Sequence, residues 1–150
     1  MVVMPTNVCQ DPDMSQQRPG YLVKHVQQLL RRACDAELRD TGLSVSQYAV
    51  LRQLVDQPGI SSAELARRCF VTRQSLQDVL SGLKTAGLVA VEEPTRGRVR
   101  PVTLTEAGHR GLEQAETAMT RAEERMLDGL PDADRHALAQ LLLRCAGNLA

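Results

Sequence analysis

Aromatic side chains are scarce in this chain: they make up 2% of its 150 residues, with no tryptophan, one phenylalanine and two tyrosines. A core must then be built from leucine, valine and alanine, a composition that suits helices better than a β-sandwich. A mainly α class is expected. Long apolar runs are also missing, and no segment approaches the roughly 20 residues that a bilayer span requires. The first 19 residues hold no basic n-region, no apolar run and no small-residue cleavage site, so no secretory signal is read there. The chain is expected to be cytoplasmic and to have no membrane partner.

Cysteine is present but unpaired in pattern. Cys9, Cys34, Cys69 and Cys145 are far apart and form no C-x-x-C, which argues against both a disulfide framework and a zinc finger. Cys34, Cys69 and Cys145 are expected to be reduced core fillers, and Cys9 to be exposed. His25, His109 and His136 are scattered, so no metal site is read. G-x-G-x-x-G, a phosphate loop, H-E-x-x-H and G-x-S-x-G are all absent. Neither an enzyme nor a cofactor is expected.

Net charge is zero, from 18 basic and 18 acidic residues, but its distribution is uneven. Residues 67–100 carry seven basic and three acidic groups, a local net of +4, whereas residues 113–134 carry seven acidic and two basic, a net of −5. Such asymmetry serves a protein that turns one face to phosphate. Solvated helix faces are the plainer reading unless a groove-reading element is present.

The pattern along the chain supplies one. Residues 1–19, with three prolines, read as a flexible arm. Leu22, Val26, Leu29, Leu30, Ala33 and Leu38 recur at helical spacing from Tyr21 to Asp40, and Gly42 stands where a left-handed cap would end that helix. Ser46 is read as the cap of a second helix with Val50, Leu51, Leu54 and Val55 inward, stopped by Pro58-Gly59. Ser61 and Glu64 form an S-x-x-E capping box for a third. Thr72 caps a fourth, with Leu76, Val79, Leu80 and Leu83 inward and Gly87 at its end.

Val89 and Val91, then Val102 and Leu104, alternate about a Pro-Thr-Arg-Gly turn and predict a two-stranded ribbon with a basic tip. Pro101 must face an edge of it. Thr105 caps a long helix in which Gly108, Leu112, Ala115, Met119, Ala122 and Met126 repeat at steps of four and three, the period of a coiled-coil seam. That seam fits either a second chain or packing within one. Asp132 is read as the cap of a last helix bearing Leu138, Leu141, Leu142, Cys145 and Leu149.

Two short helices joined by Phe70, Val71 and Thr72 and followed by a basic ribbon make a winged helix-turn-helix, whose second helix enters the DNA major groove. The fourth helix leaves Arg73, Gln74, Gln77, Ser81 and Lys84 off its apolar stripe. Glutamine pairs with adenine and arginine with guanine, while Lys84 suits phosphate. The DNA-binding set expected is Ser62, Thr72, Arg73, Gln74, Ser75, Gln77, Ser81, Lys84, Arg96, Arg98 and Arg100. Arg67 and Arg68 are left out, as a solvated face accounts for them equally well. One bidentate contact discriminates by about 1–3 kcal/mol, too little for a genomic address from one short helix, so a dimer on double-stranded DNA is required.

The segments "GLSVSQYAVLRQL", "ISSAELARRCFVTRQSLQDVLSGLKTAGLV" and "VTLTEAGH" together resemble the MarR family of bacterial transcriptional regulators, over roughly Tyr21 to Leu149. The resemblance implies a single domain over residues 20–150: a winged helix-turn-helix lobe at 44–104, with dimerisation helices at 20–42 and 105–150. It implies a homodimeric repressor on a pseudo-palindromic operator. It also implies release by a small aromatic or phenolic acid held between lobe and dimerisation helices, where His25, Tyr48 and Arg52 would supply polar contacts. One departure concerns the wing: the family's Asp-x-x-Asp-Arg-Arg is here Glu93-Pro94-Thr95-Arg96-Gly97-Arg98, so the usual Asp-Arg brace is missing and Arg98, helped by Arg96 and Arg100, is the expected contact. A protein-binding winged-helix module without specific DNA, and a cysteine-based redox sensor, stay open as alternatives.

Overall fold

The computed structural model describes residues 17–91 and 101–150. Residues 1–16 of the expected arm, with Cys9, and Arg96, Arg98 and Arg100 of the ribbon tip lie outside the described residues, while Pro19, expected to end the arm, is the first residue of the first helix. In chain order the elements are α1 (Pro19–Leu38) with a 3-10 turn at Arg39–Thr41, α2 (Val45–Asp56), α3 (Ser62–Arg68), α4 (Arg73–Thr85), β1 (Val89–Val91), β2 (Val102–Leu104), α5 (Glu106–Met126) and α6 (Asp132–Leu149). The class is mainly α with one small antiparallel ribbon, as the composition implies. No helix among the described residues is long and apolar enough to cross a membrane.

Capping chemistry sets most boundaries, with three departures from the sequence reading. The cap of α2 is Ser44, not Ser46: Ser44 Oγ accepts from the Gln47 amide at 3.1 Å, and Gln47 Oε1 accepts from the Ser44 amide at 3.0 Å. That reciprocal pair satisfies two helix-end donors at once, which Ser46, already inside the first turn, cannot do. At α3 only half of the expected box forms. Ser61 Oγ accepts from the Glu64 amide, but the Glu64 carboxylate is taken by Arg67 and Arg68. Asp132 is the first residue of α6 rather than its cap, a position held by Pro131.

The turn between α3 and α4 is a Schellman closure. The Phe70 amide donates to Arg67 O and the Val71 amide to Ala66 O, which places Phe70 at the left-handed position with φ +54°. A side chain there costs about 1–2 kcal/mol relative to glycine. Val71 turns inward onto the core, and Thr72 Oγ1 accepts from the Ser75 amide to start α4.

The core joins α2, α3, α4 and α5: Val50, Leu51, Leu76 and Leu83 have no measurable exposure, nor have Ala115 and Ala118. The apolar row of α5 packs within its own chain, chiefly on the second half of α1, so it is not the two-chain seam that its spacing allowed. Ala115, Ala118 and Ala122 are all buried there, with Ala118 in the place where the seam spacing put Met119. Glu37 on α1 accepts from Arg121 at 3.0 Å and from Arg125 at 3.3 Å, which holds its carboxyl below the usual range.

Two apolar surfaces have no partner among the described residues. Leu22, Val26 and Leu29 of the apolar row of α1 are exposed, and α6 has no buried residue. Cys145 is therefore exposed on α6, contrary to expectation, while Cys34 is buried and Cys69 half-buried. Burial pushes both the Cys34 and the Cys69 thiol up, the opposite of an activated thiolate.

Candidate nucleic-acid interface

α4 has two unlike faces. Leu76 and Leu83 are buried, while Arg73, Gln74, Ser75, Gln77, Ser81 and Lys84 are exposed. Ser62, at the start of α3, is exposed as well. An open groove of about 350 Å³ runs between α4 and the ribbon, and Ser62, Gln77, Ser81 and Lys84 share it with Val89, Val91 and Val102. Four of the sequence-predicted residues, from two helices, thus meet at one surface. Gln74 is partly engaged, its amide 3.3 Å from Asp78 Oδ1. Thr72 is occupied as a cap, and its hydroxyl also donates to Ser75 Oγ at 3.0 Å.

The ribbon is set against α4 by two hinges. Gly87 is left-handed, φ +72°, and the Leu88 amide returns to Leu83 O, so the chain reverses directly into β1. Across the ribbon Val89 pairs with Leu104 and Val91 with Val102. Thr105, besides capping α5 through the Gly108 amide, donates its hydroxyl to Gly87 O at 2.7 Å. One side chain thereby ties the end of the groove-reading helix to the start of α5.

Arg67 and Arg68 share one local carboxylate. Arg67 Nη2 lies 2.6 Å from Glu64 Oε1 and Arg68 Nε 2.9 Å from the same atom, and these bonds lower the Glu64 pKa to about 2. A depressed carboxylate contributes above its ordinary pKa of 4.5, and the contribution fades as pH falls toward 2; at neutral pH the brace is complete. Glu64→Gln is expected to release both arginines, raise affinity for random duplex, and steepen the salt dependence by about one to two in log–log slope. Anisotropy titrations of a random duplex from low to high salt check this. An unaltered slope would mean that neither guanidinium reaches phosphate.

The three residues expected to meet a ligand do not gather in one chain. Tyr48 and Arg52 share a face of α2. Tyr48 is half-buried, and its hydroxyl pKa is raised by burial and then by the charge of Glu116. Arg52 is held on both sides, by Asp56 at 2.8 Å and by Glu116 of α5, so it bridges the winged lobe to the long helix. His25 instead stacks on Tyr21 with ring centroids 5.8 Å apart, in a surface dip shared with Lys24 and Gln28. Glu116 was not foreseen: it lies 64 residues from Arg52 in sequence, and no local pattern marks it. Among the described residues no cluster of His, Cys, Asp or Glu is arranged to hold a metal ion.

Comparison with known proteins agrees with this architecture. A MarR family sequence profile matches residues 41–98. The HTH-type transcriptional repressor Rv2887 of Mycobacterium tuberculosis is 37% identical over 124 residues, covering 82% of this chain and 89% of that protein. The crystal structure of that MarR family protein in complex with salicylic acid superposes with a TM-score of 0.73 at 36% identity, over 85% of this chain and 95% of the other. Its complex with DNA gives 0.71 at 35% identity, over 85% and 96%. With a relative this similar along most of both chains, and with two tightly joined helices, a ribbon and flanking helices in the corresponding order, the protein belongs to the MarR family of winged helix-turn-helix transcriptional regulators.

Proposed function

We propose that this chain is a homodimeric transcriptional repressor, acting in the cytoplasm, whose two α4 helices read a pseudo-palindromic operator and which an aromatic or phenolic acid releases. The observation that carries the reading is the outer face of α4: exposed polar side chains from Arg73 to Lys84, of which Gln77, Ser81 and Lys84 line the groove along the ribbon. Gln74 and Gln77 suit adenine and Arg73 guanine, while Ser62, Ser75, Ser81 and Lys84 suit phosphate or sugar oxygens and Thr72 positions the helix start. Arg96, Arg98 and Arg100 would extend the contact from the ribbon tip to neighbouring phosphates or the minor groove. Regulation of transcription is what the family does, and catalysis is not.

The division of labour follows the same lines. Residues 44–104 form the reading lobe, and residues 20–42 and 105–150 supply dimerisation. The uncovered apolar stripe of α1 and the whole of α6 support this, since a second copy would bury both by two-fold symmetry. For release, the Mycobacterium tuberculosis relative solved with salicylic acid supports an acid of that type. A carboxylate competing with Glu116 for Arg52 would cut the link between α2 and α5, with Tyr48 beside it.

Selection of a randomised duplex library by the purified protein at moderate salt tests this. The expected result is an enriched palindrome with half-site centres about 10 bp apart, and retention that drops when salicylate is added. No enrichment by folded, dimeric protein would favour a protein-binding module. Enrichment indifferent to aromatic acids would remove the effector and keep the repressor.

A further inference from the structure

Five positions among the described residues have a left-handed backbone, and four of them, Gly42, Gly59, Gly87 and Gly129, are glycines. The fifth is Phe70, the one phenylalanine of the chain, with 97% of its surface exposed. Both features run against local stability: glycine would sit there without strain, and an aromatic ring left in water gains nothing from burial. Backbone strain of this kind accompanies functional positions, and the position here is specific. Phe70 is the middle of the turn, two residues before the Thr72 cap and three before Arg73, so it lies within about 11 Å of the first turn of α4.

In a helix-turn-helix the N-terminal residues of the second helix are those that approach base edges, and a side chain projecting from the turn stands at the lip of the same groove. Its surroundings favour DNA over a protein surface: Arg67, Arg68 and Arg73 flank it, with Glu64 as the nearby counter-charge. The apolar feature that the major groove offers is the thymine methyl, and phenylalanine is one of the side chains that contact it.

We propose that Phe70 is a specificity-determining DNA contact, its ring packed on the methyl group of a thymine at the outer edge of each half-site. This rests on the reading of α4 as the recognition helix. It adds to the hydrogen-bonding row of Arg73, Gln74 and Gln77 a base position that no polar side chain of α4 covers, chosen by shape and apolar contact alone. An unstrained glycine in its place would make a more stable turn and a less selective protein.

The test uses the full-length protein and its Phe70→Gly and Phe70→Leu variants against the duplex that wild type enriches, with each thymine replaced in turn by uracil, which lacks only the methyl group. Wild type is expected to lose about fourfold in affinity at one thymine per half-site, the worth of one buried methyl. Phe70→Gly should bind the unmodified duplex correspondingly more weakly and be indifferent to uracil at that position, while staying sensitive wherever wild type is otherwise sensitive. Phe70→Leu should fall between. Phe70→Gly should also melt a few degrees higher, which shows that weaker binding is not a folding defect. If wild type enriches a sequence and Phe70→Gly has the same affinity and the same uracil profile, the contact does not exist and the exposed ring is left for a protein partner. If wild type enriches nothing, the reading of α4 fails and the Phe70 contact fails with it, so the wild-type arm tells the two failures apart.

Discussion

Replacing Gly108 with alanine is expected to destabilise the protein by about 2–3 kcal/mol, the upper part of the range for forcing a group into filled space. A methyl group on that α-carbon would lie 2.0 Å from the carbonyl oxygen of Leu88, 3.0 Å from its carbon and 3.3 Å from Leu104 Cβ. The obstacle is backbone rather than the end of a flexible side chain, and that carbonyl already accepts the Thr105 amide at 3.0 Å. Relief would require α5 to move away from the junction where α4 ends and β1 begins. In an open helix the same substitution would stabilise by up to about 1 kcal/mol through propensity, so the sign of the effect is itself diagnostic.

Gly111, one turn later in α5, supplies the control. A methyl there would meet Leu43 Cδ1 at 3.8 Å and Leu88 Cδ2 at 4.0 Å, ordinary contact distances, so Gly111→Ala is expected to stabilise by roughly 0.5–1 kcal/mol. Urea titrations of both variants at one protein concentration decide the matter. A Gly108→Ala midpoint equal to or above wild type would show that the junction yields. With the junction displaced, the ribbon no longer flanks α4 at its native distance, so DNA affinity is expected to fall in the surviving folded fraction too.

The sequence disclosed what depends on neighbours within a few residues. The Thr72 and Thr105 caps, the Gly42 and Gly87 stops, the inward row of α4 and the two strands of the ribbon all follow from short-range rules of spacing and capping. The miss at Ser44 has the same local origin: two serines two residues apart both satisfied the preference for a hydroxyl, and the Gln47 side chain decided between them. Whatever depends on which surface meets which was less legible. The α5 spacing could not say whether its partner was another chain or α1. The apolar residues of α6 look like core in the sequence although nothing among the described residues covers them, and the same holds for Cys145. Glu116 and Glu37 meet arginines 64 to 88 residues away, a distance over which periodicity carries no information.

For the candidate interface the same division holds. Residue type and the helical period picked out the row from Arg73 to Lys84, and its exposure agrees. The pairing of Arg67 and Arg68 with Glu64 was within reach, since spacings of three and four on a helix bring such side chains together. The three ligand residues were chosen for chemistry alone, and two of them, Tyr48 and Arg52, share α2 while His25 stands apart on α1.

Leu141→Glu combined with Leu142→Glu is expected to turn a dimer into a folded monomer. Both leucines lie on α6 with 57% and 45% of their surface exposed in the single chain. Covering an average leucine is worth about 1.5–3 kcal/mol, and two-fold symmetry doubles every contribution. Each is already about half covered, so the four side chains would carry about 3–6 kcal/mol of association, beside a nanomolar dimer's total of about 12 kcal/mol. Adding a carboxylate at each of these positions opposes burial further. The fold of one chain should persist, because α6 supplies no buried residue to it, and far-ultraviolet circular dichroism should show nearly unchanged helix content.

Sedimentation at micromolar concentration reads the mass, and operator titration reads the consequence. A monomer must bind its two half-sites as separate events and loses the effective concentration that linkage provides, so affinity for the full palindrome should drop by about 10²- to 10⁴-fold, with the contacts made by α4 unchanged. A variant that still sediments as a dimer would show that α6 is not what joins the copies, and would move the association to the stripe of Leu22, Val26 and Leu29 on α1. A variant that is monomeric yet binds the palindrome as tightly as wild type would show that one α4 and one ribbon suffice, against the limit of about 1–3 kcal/mol of discrimination for each bidentate base contact.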